Sequence, residues 1–175
     1  MSERDLVFDG VRIEYEREVP TQDLVEFIDE LSQDFLTVEV LRRNYRGAAA
    51  GLTPAVGVAV VLGAVAASFL AELGKDVYKT LRGALFRLYD RIRIGTTPSG
   101  RVWPLGIVTQ LGAPKASIFF LLEEGLDERQ FNDALGLIPS AMRELAPRLE
   151  EWSHRPDIPV ARFDREKGCW ELWDS

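Results

Sequence analysis

Histidine and cysteine are nearly missing from this 175-residue chain, which has one of each, His154 and Cys169. A metal site built on several histidines is thereby excluded, and a Ser–His–acid triad would depend on His154 alone. One cysteine cannot form an internal disulfide, so no disulfide framework holds the fold and an intracellular location is favoured. The first residues, Met1-Ser2-Glu3-Arg4-Asp5, lack the basic start and the following apolar stretch of a secretory signal. No C-x-x-C, H-E-x-x-H, P-loop or G-x-G-x-x-G pattern occurs. The adjacent acids Glu123-Glu124 and Glu150-Glu151 point in different directions on any strand or helix, so they make poor acid–base pairs. His154 reads as a residue at a helix exit and Cys169 as a strand residue beside Trp170. No catalytic residue, metal or cofactor is expected.

What the chain does contain is ordinary for a globular protein: 46% apolar, 28% charged and 10% aromatic residues, enough for one filled core. The whole chain, 1–175, is read as one domain. Its net charge of −7 hides three blocks. Residues 1–41 hold 12 acids and 3 bases, residues 42–101 hold 3 acids and 10 bases, and the remainder is acidic again.

The pattern begins with Leu6-Val7-Phe8, Asp9-Gly10 and Val11–Tyr15, which predicts a β-hairpin around a tight Asp-Gly turn. Leu24, Phe27, Ile28, Leu31, Phe35, Val38 and Leu41 follow at steps of three and four and predict one amphipathic helix reaching Arg42, Arg43 and Arg46. Residues 47–71 then carry no charge. Pro54 divides this run, and 55–71 is expected to be a helix about 26 Å long, at the short limit for a bilayer core of about 30 Å. Ala55, Ala59, Gly63, Ala67 and Ala71 recur every fourth residue, a ridge of small side chains suited to close helix association. A second helix over about 72–93 combines an apolar stripe (Leu73, Val77, Leu81, Leu85, Leu88, Ile92) with Lys75, Lys79, Arg82, Arg87 and Arg91, as a helix on an anionic membrane surface would.

The last third predicts strands over 102–111 and 116–122, a helix capped by Asp127 and interrupted at Pro139, and a closing hairpin of 160–164 and 169–173. The expected fold class is α+β: a small mixed or antiparallel sheet in ββα…ββαββ order, with the apolar and basic helices of 47–94 inserted within it.

Two functions compete. In the first, the chain is a non-enzymatic membrane protein, an effector or anchor at the inner or cytoplasmic face of a membrane. Its apolar helix self-associates, and Arg42, Arg43, Arg46, Lys75, Lys79, Arg82, Arg87 and Arg91 meet anionic lipid headgroups. In the second it is a soluble cytoplasmic interaction module that homo-oligomerises, or binds a partner protein, through the Ala/Gly ridge of a buried central helix. Nine of the 17 residues at 55–71 are Ala, Gly or Ser, which makes insertion energetically marginal. Nucleic acid is not an expected partner, because acidic blocks flank the basic one and can neutralise it within the fold.

Overall fold

A computed structural model of the chain describes residues 11–16, 21–34, 38–43, 58–62, 75–94, 105–110, 117–148 and 159–173. These form β1 (Val11–Glu16), α1 (Thr21–Asp34), β2 (Val38–Arg43), β3 (Val58–Leu62), α2 (Lys75–Ile94), β4 (Leu105–Gln110), β5 (Ser117–Leu122), α3 (Glu128–Leu145) with a 3-10 turn Ala146–Arg148, β6 (Val160–Asp164) and β7 (Cys169–Leu172). The architecture is α+β, a mixed seven-stranded sheet in the order β2-β1-β3-β4-β5-β6-β7. Each of β1–β2, β3–β4 and β5–β6 is a parallel pair joined across a helix, and the contacts between these pairs and with β7 are antiparallel.

The strands pair so that apolar residues line up in rows under the helices. Ile13, Val60, Ile107, Phe120, Ala161 and Leu172 are successive register partners, and all six are buried in the helix-side core. Leu24, Phe27 and Leu31 of α1, Leu81, Leu85, Leu88 and Ile92 of α2, and Phe131, Leu135, Ile138 and Met142 of α3 close that core from above. The opposite face holds a smaller buried cluster of Ala59, Val108, Phe119 and Leu121. There Phe119 lies across Gly106, where an added Cβ would meet ring carbons Cε1 and Cε2 at 2.9 Å, so only glycine fits under this ring.

Three segments differ from the sequence expectation. The stripe that starts on α1 ends at Asp34; Val38 and Leu41 belong to β2, which pairs in parallel with β1. Steps of three carried the helical pattern past its end, whereas Val38 and Val40 obey the strand period of two. Both sides of β1 are taken, by β2 and β3, so Val11–Tyr15 is an inner strand; Leu6–Phe8 lie outside the described residues.

The third difference is the largest. Val58–Leu62 is a central strand, buried on both faces, and not part of a helix. The spacing that produced the ridge does not discriminate, because every fourth residue shares a face on a strand as well as on a helix. A strand covered on both sides also has no polar alternation to reveal its period. The expectation of a transmembrane helix is thereby overturned: among the described residues, no helix is long and apolar enough to cross a membrane.

The C-terminal elements are fixed by local chemistry. Asp127 and Gln130 form a reciprocal capping box: the Gln130 N–H donates to Asp127 Oδ1 at 2.7 Å, and the Asp127 N–H to Gln130 Oε1 at 3.1 Å. The helix runs through Pro139 unbroken. Trp170 Nε1 donates to the Ala134 carbonyl, 2.8 Å away, tying β7 to the helix five residues before that proline. In the β6–β7 hairpin Asp164 Oδ1 accepts the N–H groups of Glu166 and Lys167, and Gly168 takes the positive φ of 65° that closes the turn.

Candidate functional site

The basic helix is largely consumed within the fold. Glu26 and Glu30 sit one turn apart on α1, and Arg87 and Arg91 one turn apart on α2. Arg87 pairs with Glu30 at 2.6 Å, and Arg91 pairs with Glu26. Arg82 Nε donates to Asn132 Oδ1 of α3 at 3.1 Å. These three arginines, expected at a lipid or partner surface, thus bridge neighbouring helices. Lys79 is exposed on α2. Lys75 opens α2, and Arg42 and Arg43 end β2, while Arg46 lies outside the described residues. Of the small-residue ridge, Ala59 is buried in β3 on the sheet face away from the helices; Ala55, Gly63, Ala67 and Ala71 lie outside the described residues.

Among the described residues, no group of three or more His, Cys, Asp or Glu could hold a metal ion. Cys169 is half-buried, and His154 lies outside the described residues. Among the described residues Thr109 is the buried polar side chain of the core, and its hydroxyl has no hydrogen-bond partner. Its register neighbours are Leu62 and Ile118, so it stands in apolar surroundings. A groove of about 440 Å³ separates α2, α3 and the β6–β7 turn. Arg82 and Arg165 border it with Asp133, and each arginine is already bonded, Arg82 to Asn132 and Arg165 to the Glu124 carbonyl.

Charge clusters at the other end of the sheet. Lys167 Nζ contacts Asp164 Oδ2 at 3.3 Å and Glu171 Oε1 at 2.6 Å. Arg162 pairs with Glu123 and places its guanidinium 4.7 Å from the ring centre of Trp173. The Asp164 carboxyl is held below the usual carboxylate range, chiefly by the Lys167 backbone N–H, with help from the Lys167 ammonium and the Glu166 N–H. The Lys167 ammonium is raised by Glu171 first and by Asp164 second. The β7 edge is therefore short, four residues, and bordered by paired charges.

The β2 edge has a different character. It is six residues long and follows β1 in parallel, so one row of its backbone groups faces away from the sheet. Val38 and Val40 stand beside Val11 and Ile13 and share their helix-facing side, but Val38 is only half-buried and Val40 is 41% exposed. Above them, α1 turns Glu26 and Glu30 toward α2. At 3.6 residues per turn its other flank carries Val25 and Ile28. Val25 is 48% exposed and Ile28 half-buried. Of the three large apolar side chains exposed among the described residues, two lie on this rim; the third, Trp173, is covered on one side by Arg162. Sequence reasoning missed the rim because Val25, Val38 and Val40 read as parts of one helix.

No family model, curated protein or solved structure matches this chain at a significant level.

Proposed function

We propose that the chain is a non-catalytic protein-interaction module, and that its working surface is the β2 edge with the adjoining flank of α1. The observation carrying this reading is a six-residue strand edge that pairs with no other strand among the described residues, beside the exposed side chains of Val25 and Val40. Natural sheets shield long edges with charge, proline or a covering element, because unpaired N–H and C=O groups template the addition of another strand. A strand added there gains main-chain hydrogen bonds, and the valine rim supplies apolar area to the same partner. The surface thus takes the place of the Ala/Gly ridge in the interaction-module reading, and needs neither a cofactor nor a lipid.

Photo-crosslinking in cells tests it. A crosslinking residue at position 40 is expected to give one discrete adduct, and the same residue at the exposed position 129 on α3 none. No adduct from position 40, or identical adducts from both positions, would refute the reading.

A further inference from the structure

We infer that the strand added to β2 is β2 of a second copy of this chain, paired antiparallel about a two-fold axis at Leu41; this rests on the edge reading above. A two-fold perpendicular to the sheet keeps both helix layers on one side, and it requires that residues meeting across the seam share a face. Pairing is then limited to registers that place a residue opposite itself. The sequence Val38-Glu39-Val40-Leu41-Arg42-Arg43 offers two central choices.

Centring on Val40 sets Glu39 opposite Leu41 and Val38 opposite Arg42, with no complementary charge. Centring on Leu41 likewise sets a valine, Val40, opposite Arg42, but it also sets Glu39 of each copy opposite Arg43 of the other, so two reciprocal opposite-charge pairs flank the axis. The same register leaves the two Val40 positions diagonal to each other on the helix side. Directly above, the α1 flanks with Val25 and Ile28 meet across the seam, which covers the apolar rim left bare in the single chain. A continuous sheet of twice seven strands results, its outer edges being the two charge-bordered β7 strands.

Charge exchange in the purified full chain is the experiment. The wild type is expected to sediment as a dimer at about 100 μM, a range in which even a modest interface is populated. Glu39→Lys and Arg43→Glu each place two like-charged pairs at the seam, and each is expected to weaken the dimer by about tenfold or more. An equimolar mixture of the two variants restores every opposite-charge pair and is expected to form a heterodimer. The double variant Glu39→Lys/Arg43→Glu is expected to recover the homodimer, a rescue that general damage to folding cannot produce. A monomeric wild type, or a dimer indifferent to these exchanges, overturns the proposal. If the wild type is monomeric while position 40 still yields a discrete adduct of other than twice the 19.7 kDa chain mass, self-pairing is wrong and the edge reading stands. With neither dimer nor adduct, both fall.

Discussion

Replacing Tyr89 with phenylalanine removes one oxygen atom from the interior and leaves the packing almost unchanged. Tyr89 is buried on α2, and its hydroxyl joins two backbone groups of the β5–α3 connection. It donates to the Glu123 carbonyl at 2.7 Å and accepts the Leu126 N–H at 2.9 Å. The ring keeps its contacts with Phe131, whose centroid lies 4.9 Å away, so the substitution isolates the hydroxyl. Leu126 is itself buried, and its amide would lose its partner away from water, which costs about 1–3 kcal/mol. The Glu123 carbonyl sits beside exposed Glu124 and Gly125 and regains water more readily, so its loss adds less. A destabilisation of about 2 kcal/mol follows, equivalent to a fall of about 4–8 °C in Tm for a chain of this size. Urea denaturation followed by circular dichroism measures it, with the midpoint lowered and the slope unchanged. A variant within about 0.5 kcal/mol of wild type would refute the idea that this hydroxyl holds the turn.

Two further substitutions probe the other face of the sheet and the hairpin. Gly106→Ala drives a methyl group into the buried ring of Phe119 and is expected to cost about 1–3 kcal/mol as overpacking. Combination with Phe119→Leu should cost less than the sum of the two singles, and strict additivity would show that the ring is not the obstacle. Asp164→Asn keeps an acceptor for the hairpin amides and removes the titrating group. The folded pKa of Asp164 lies below its unfolded value of 3.8, so its stabilisation is complete above that value and fades as pH falls through the folded one. The acid limb of the stability profile should therefore be shallower in the variant, and parallel limbs would contradict this. Lys167 has the opposite sign. Its pKa is raised above 10.5, so its share is intact below that value and is lost only as pH climbs through the raised one.

The residues that proved legible in the sequence are those whose structure is set locally. Strands at 105–110 and 117–122, the Asp127-capped helix and the 160–172 hairpin coincide with the expected segments, and the structure shows the local bonds behind two of them, Gln130 with Asp127 and the Asp164 turn. Proline predicts an interruption at Pro139, yet α3 continues through it, with Ile138, Ala141 and Met142 buried in the core on either side. The misread segments depend on distant partners. Nothing within Val58–Leu62 distinguishes a strand buried on both faces from an apolar helix; β1 and β4 on either side decide it. The parallel pairing that makes β2 an edge is likewise a property of topology. The basic helix looked like a membrane surface because its counter-charges, Glu26 and Glu30, lie some 60 residues earlier in the chain. Its acidic surroundings did point to internal neutralisation, and for Arg87 and Arg91 that is what the structure shows.

Amide hydrogen exchange across a dilution series tests the interaction account most directly. Outward-facing amides of residues 38–43 should exchange quickly in dilute protein and gain protection as concentration rises, while residues 169–172 of the β7 edge stay unchanged. Protection of 38–43 that does not vary with concentration, or that rises equally at both edges, would contradict self-pairing through β2.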